Sequence, residues 1–512
     1  MERSVEVRVF LVAPNIPSFG AGFLHNAVKD KKMLMFLSCC LLLLAGYALY
    51  GLFVERVFGL SRRPTPAVAH PDGADYIPMK TPKALLIQFL NIAGLGPVFG
   101  AVLGAVYGPV CLIWIVLGSI FAGAVHDYLS GMLSLRHDGK SLVFLMETYF
   151  GHRFRYIALF LLTAMLLIVG TIFAKSPAQM LGALTHTDVR LWLGVVFGYY
   201  FIATLLPIDK IIGRFYPLFA LCLIVASVLL VGMLFTRPTD LWLKFDLINH
   251  HPAGKPIFPL LFVTIACGAI SGFHATQSPM MARCLMREQA GRPVFYGAMI
   301  TEGVIALIWA TLGLTFYPDA GHLWQSIQSV EAGGTVAEMA KGLLGSWGGT
   351  LTVVSVVILA ITTGDTCFRS ARLALADFVH MPQDRLARRL SLTLGVLGGG
   401  LVLSAINIAT IWQYFGWFNQ TLATCTLWLV TIYLRKQGRL YWISLIPAVF
   451  MTAVCATYVG YDSLFLGQPI GVAKVLGVGV AVVAGFWFAL TGKKPAHKGP
   501  DNAQKANRPD FI

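Results

Sequence analysis

The sequence predicts an all-α polytopic membrane protein of about thirteen transmembrane helices, with a 5+5 inverted-repeat core and two discontinuous helices. Three observations lead there. The 512 residues are 57% hydrophobic and 12% charged, with a mean hydropathy of +0.72. Soluble domains carry about 25% charged residues, so the composition excludes a soluble enzyme and a disordered chain. Apolar runs near the roughly 20 residues needed to cross a bilayer recur along the chain. Two of those runs are interrupted by polar, glycine and proline residues at corresponding places.

Runs bounded by charge or by Pro/Gly fall at 33–54, 84–107, 109–130, 154–173, 189–206, 215–236, 257–279, 293–315, 350–371, 388–408, 410–434, 440–460 and 470–491. An N-terminal extension, 1–32, precedes a peripheral helix with its cytoplasmic linker, 33–83. The inverted-repeat core covers 84–434, further peripheral helices 435–491, and a basic tail 492–512. Basic residues are retained on the cytoplasmic side. They cluster at Arg62-Arg63, Arg283, Arg287, Arg292, Arg385, Arg388-Arg389 and Arg435-Lys436, whereas 316–349 holds Lys341 alone. That alternation puts the C-terminus in the cytoplasm and, with an odd number of spans, the N-terminus outside. Lys29, Lys31 and Lys32 run against the rule; a start at Met33 removes the conflict. The net charge of +15 is therefore topological and not a nucleic-acid footprint. The nine cysteines lie in or beside apolar runs without metal-ligand spacing and read as small core residues.

Span 84–107 carries Asn91-Ile92-Ala93-Gly94-Leu95-Gly96-Pro97-Val98-Phe99-Gly100, where glycine and proline end continuous helix in mid-membrane. Span 257–279 carries a polar stretch from Gly268 to Pro279; its Ser278-Pro279 pair looks like an N-cap followed by proline at the first helical position. Four spans separate the two, and the interrupted spans run in opposite directions, so each opens one five-span unit. A helix that restarts inside the membrane presents unpaired N–H groups and a positive dipole end, which suit a carboxylate. The expected substrate contacts are Asn91, Gly94, Gly96, Val98 and Phe99 at the first break, and the donors of Gln277 to Met280 with His274, Thr276 and Gln277 at the second. The plainer reading makes Gly and Pro markers of kinks or close packing.

Ionisable residues inside spans are costly in lipid and face a cavity or a partner. His126-Asp127 lies near the inner end of its span. Asp365, Arg369 and Arg372 share one helical face at i, i+4 and i+7, suiting ion coupling or an internal ion pair. Glu302 and Lys175 read as structural pairing or snorkelling. His274, in the interrupted stretch, can couple protons or serve as a hydrogen-bonding core residue. The competing coupling ion is sodium, held by the carbonyls of Asn91 to Gly94 with the hydroxyls of Thr362, Thr363 and Thr366. No other cofactor is expected. Asn419 and Gln420, beside Trp412, Tyr414, Trp417 and Phe418, line a substrate path or make an interhelical hydrogen bond behind an aromatic belt.

Several strings resemble one family. They are Phe53-Val54-Glu55-Arg56-Val57-Phe58-Gly59, Arg63-Pro64-Thr65-Pro66, Asp72-Gly73 with Asp75-Tyr76, Asn91 through Gly100, His126-Asp127-Tyr128 with Ser130-Gly131-Met132, Gly272-Phe273-His274 with Thr276 through Arg283, Gly364-Asp365-Thr366 with Phe368 through Arg372, and Trp417-Phe418-Asn419-Gln420. Over about 50–425 the chain resembles the carbon starvation protein A (CstA) family, in its shorter form. The resemblance implies a bacterial inner-membrane transporter related to the amino acid, polyamine and organocation superfamily, with a LeuT-like core. It also implies import of peptides or pyruvate when carbon is scarce. The expected function is secondary active import of a small carboxylate-bearing nutrient, coupled to protons or sodium, with that solute and the lipid bilayer as partners and no nucleic acid. A membrane-embedded enzyme using His126, Asp127 and His274 is the alternative of another class, but HExxH and GxSxG motifs are absent. A channel is the third.

Overall fold

With no water in the hydrocarbon to satisfy backbone groups, apolar runs form helices, where each N–H meets a carbonyl of its own segment. The computed structural model describes residues 34–72, 76–205, 224–233, 247–379, 381 and 385–491. The extension 1–32, the start proposed at Met33, the basic tail and much of span 215–236 lie outside the described residues. Among those residues the chain is helical, apart from one isolated bridge between Met79 and Leu285. Eight helices are long and apolar enough to cross a membrane, and a bent pair makes a ninth.

In chain order the helices that matter are α1 (Leu34–Phe58), α2 (Thr81–Ile92), α3 (Gly96–Ala105), α4 (Val110–Arg136), α5 (His152–Thr185) and α6 (Val189–Leu205). There follow α7 (Ile257–Thr264), α8 (His274–Ala282), α9 (Glu288–Phe316), α10 (Ala320–Phe378), α11 (Leu386–Leu403), α12 (Ile408–Lys436), α13 (Trp442–Tyr461) and α14 (Ile470–Leu490). The pair α2 and α3 turns by 58° across the break at residues 93–95. Leu41 is 65% exposed on α1 and Val475 is 74% exposed on α14, so both helices face lipid at the periphery.

Three boundaries differ from the sequence reading. α4 continues to Arg136, so His126 and Asp127 lie more than two turns inside the helix. α5 continues through Pro177 to Thr185, and Lys175 sits within it, donating to the Ile406 carbonyl beyond α11 (2.7 Å). The polar stretch 316–349 is largely helix rather than loop, turned twice within α10, at Glu331 (φ 58°) and Gly345 (φ 70°). Small residues set the helix spacing: a Cβ on Gly364 would fall 2.1 Å from the Tyr200 hydroxyl, and one on Gly170 would fall 2.9 Å from the Phe368 ring.

Candidate functional site

α2 ends where Ala93 N–H turns back to Phe89 O and Gly94 N–H to Ile92 O, both at 2.8 Å, and the helix restarts at Gly96. The second interruption runs from Ile265 to Phe273, between α7 and α8. The two touch. A Cβ on Gly96 would lie 2.2 Å from Cys267 Cβ, and one on Gly100 would lie 3.1 Å from Thr264 O.

Unwound backbone inside a bilayer needs partners, and side chains from other helices supply them. The indole of Trp114 donates to Ile265 O (3.2 Å), that of Trp412 to Thr264 O (3.2 Å), and the Ser119 hydroxyl to Gly268 O (3.0 Å). Asn419 Oδ1 accepts from Phe273 N–H (2.8 Å) and from the Ser271 hydroxyl (3.1 Å), while Gln420 Nε2 donates to Phe262 O (2.8 Å).

Beside this crossing lies a cluster of four ionisable side chains, each fully buried. Asp127 Oδ1 pairs with His126 Nδ1 (2.7 Å) and Asp127 Oδ2 with His274 Nδ1 (2.8 Å). The other ring nitrogen of His274, Nε2, lies 3.2 Å from Glu302 Oε2. α4 supplies His126 and Asp127, α9 supplies Glu302, and His274 is the first residue of α8, fixed by the break itself. Cys267, the residue against Gly96, is within electrostatic reach of both acids, so the cluster adjoins the point where the breaks touch. Such an arrangement can hold a proton: an imidazolium can donate to a carboxylate on either side, and a neutral ring can accept from a carboxyl that carries the proton.

The model of the family described as "Carbon starvation protein CstA" matches residues 31–185, 175–347 and 329–458. The chain belongs to that family. An uncharacterized membrane protein of Haemophilus influenzae is 43% identical over 59% of this chain and 96% of its own. The peptide transporter CstA of Escherichia coli K12 is 25% identical over 91% of this chain and 86% of its own. The pyruvate/proton symporter BtsT of the same organism is 25% identical over 83% and 81%. Among solved structures, a manganese transporter of Eremococcus coleocola superposes with a TM-score of 0.52 at 11% identity, covering 82% of this chain and 98% of that one. That likeness shows a shared fold. This CstA-family chain is thus a multi-pass membrane protein whose functionally named relatives are transporters.

Against this geometry the expected site residues divide. His126, Asp127 and His274 come together, and Glu302, read from sequence as a structural pair, joins them; nothing local in the sequence ties Glu302 to His274. In the first break the N–H groups of Val98 and Phe99 both donate to Leu95 O (3.2 and 2.8 Å), so they are not open donors, and Gly96 is packed against Cys267. In the second, α8 begins at His274 and not at the Ser278-Pro279 pair. Ser278 Oγ donates to His274 O (3.0 Å) from within the helix, where Pro279 is accommodated as well. Thr276 donates its hydroxyl to Phe273 O (2.6 Å) and accepts from Gln277 Nε2 (2.8 Å), closing the first turn of α8 on itself.

Asn419 and Gln420 are fully buried and make the expected interhelical hydrogen bonds, Asn419 to the unwound backbone and Gln420 to Phe262 O in the last turn of α7. Thr362, Thr363 and Thr366 donate to carbonyls of their own helix. The Thr363 methyl, not its hydroxyl, faces Gly94. Asp365 pairs with Arg369 (3.2 Å), whose Nη2 also donates to Ala203 O (2.7 Å), so this pair ties α10 to α6. Arg372 stands within electrostatic reach of Asp365. Sequence reasoning passed over Gln88, one turn before the first break: it is fully buried, and its amide atoms have no partner among the described residues.

Proposed function

We propose that this chain is a secondary active importer of a small carboxylate-bearing nutrient, pyruvate or a short peptide, driven by the inward proton gradient. The observation that carries the reading is His274, fully buried and set between Asp127 and Glu302 beside the contact of two interrupted helices. A proton-accepting cluster placed there changes charge where the carrier must open alternately to each side. The names of the relatives, a peptide transporter and a pyruvate/proton symporter, support the substrate class and the coupling ion. The topology that goes with this reading has about thirteen spans on a 5+5 repeat, with the C-terminus in the cytoplasm.

The test is uptake into proteoliposomes of labelled pyruvate and a labelled dipeptide in parallel, under separately imposed proton and sodium gradients. Accumulation of one of them with the proton gradient alone is expected. Accumulation that follows sodium alone, or conductance without saturable uptake, overturns the reading.

A further inference from the structure

We infer that Glu302 is the group that carries the transported proton, with His274 and Asp127 as its positioning residues. The inference deepens the proton-driven reading above and rests on it. The groups nearest Glu302 are His126 and Asp127 on α4, His274 on α8, and Cys267 in the unwound segment, while α1, which packs on α9 through Leu43 against Gly303, carries Cys39, Cys40, Tyr47, Tyr50, Glu55 and Arg56. α3 brings no acid or base, α2 has only Lys83 near its start, and α10 approaches α9 where Leu323 faces Gly313.

Bond lengths separate the two acids. Both oxygens of Asp127 are taken, at 2.7 and 2.8 Å. The approach of His274 Nε2 to Glu302 Oε2 is longer, 3.2 Å, and neither oxygen of Glu302 makes a hydrogen bond among the described residues. Asp127 is therefore the acid whose two oxygens are both met by hydrogen bonds, and Glu302 is the acid left without one. Were Glu302 ionised as well, its charge would stand away from water with no hydrogen-bond donor on either oxygen among the described residues, and a buried uncompensated charge is expensive. A proton on Glu302 removes that charge. In the cycle, a proton from the outer solution bonds to a carboxylate oxygen of Glu302. When the carrier opens inward that O–H bond breaks, the proton passes to cytoplasmic water and the carboxylate is restored. No electrons move.

The experiment compares the full-length wild type with Glu302→Gln, which fixes the neutral form, and Glu302→Asp, which keeps a carboxyl group. All three are reconstituted after a check of monodispersity. For whichever of pyruvate or dipeptide the wild type accumulates, Glu302→Gln is expected to exchange labelled for unlabelled substrate at a rate independent of pH. Proton-driven accumulation should fall at least tenfold. Glu302→Asp should restore part of the accumulation with a displaced pH profile. Accumulation by Glu302→Gln with the wild-type pH profile overturns the inference, as does loss of exchange together with accumulation in a well-folded variant.

Infrared difference spectra taken across neutral pH add a readout that needs no substrate. The C=O stretch of a protonated carboxyl is expected in the wild type and in Asp365→Asn, and is expected to vanish in Glu302→Gln. Its persistence there overturns the inference. If uptake proves to follow sodium alone, the proton-driven reading fails, and the infrared band still decides whether Glu302 holds a proton.

Discussion

His274 reaches Asp127, 147 residues away, through a ring that has no exposure, so the environment that gives this histidine its role is assembled by the fold. Removing the ring takes one of the two partners from Asp127 and the closest ring nitrogen from Glu302. Losing one member of a buried charge pair costs about 2–5 kcal/mol, so His274→Ala should lower proton-driven accumulation in proteoliposomes by more than about tenfold. Asp365→Asn should behave differently. It removes the carboxylate from Arg369, which is 8% exposed, and should cost about 3 kcal/mol of stability, read as a lower melting temperature in detergent. Proton dependence should remain in whatever protein is recovered; its loss would put Asp365 in the coupling path. Outside the spans, burial and the nearby Lys255 ammonium push His251 down from the usual value to about 4. The unfolded chain then binds the proton first as pH falls from about 6.5, so this group's contribution to stability is lost between about 6.5 and 4 and is fully present above that window. His251→Phe keeps a ring against Tyr107 and Trp324 and should flatten the fall of melting temperature across that window; an unchanged slope would locate the acid sensitivity elsewhere.

At the scale of elements, the unwound segment between α7 and α8 stands because other helices satisfy its backbone. Asn419→Leu strips acceptors from Phe273 N–H and the Ser271 hydroxyl, two buried donors whose loss costs about 1–3 kcal/mol each. A Cβ on Gly272 would fall 2.4 Å from Asn419 O and 2.5 Å from Ala423 N, backbone atoms of α12 that cannot swing aside. Gly272→Ala should therefore reduce folded protein in the membrane more than Asn419→Leu does, while Gly198→Ala, with nothing within 4 Å, should match the wild type. Equal yields of Gly272→Ala and Gly198→Ala would mean that α12 does not clamp the break. These elements also show what was legible in the sequence. Both breaks were, because glycine and proline disfavour helix whatever surrounds them. The start of α8 was not: Ser278-Pro279 has the chemistry of a cap, but Phe273 N–H is satisfied by Asn419, so the helix begins earlier than any local signal says. Glu302 and the Asn419 contact are long-range facts. Their residue types were visible in the sequence, and their partners were not.

For the molecule as a whole, the proposed alternating access requires one face to be shut while the other opens, and a single guanidinium ties four elements together on the face proposed as cytoplasmic. Arg136, at the end of α4, donates Nε and Nη2 to the two oxygens of Glu288 at the start of α9 (3.2 and 3.1 Å). It also donates Nη1 to the Tyr433 hydroxyl of α12 (3.0 Å) and Nη2 to the Gly59 carbonyl just past α1, with its plane 4.0 Å from the Phe58 ring centroid. Ser61 N–H adds a further bond to Glu288 (2.6 Å), and Met79 N–H bonds to Cys284 O (3.0 Å), so the strand of chain after α1 is laid across the closed face. On the proposed import reading, these four elements part here for solute to leave inward. A loss of about 2 kcal/mol from this network changes the ratio of closed to open states roughly 30-fold. Cys284, 7% exposed beneath that strap, reports the change. With Cys284 as the sole cysteine, Arg136→Ala should raise its reaction rate with a membrane-impermeant maleimide by about that factor in inside-out vesicles. Right-side-out vesicles should show no such rise. An unchanged rate would deny the guanidinium its role as the inner latch, and a rise from the outer side alone would invert the orientation that the arginine-rich linkers imply.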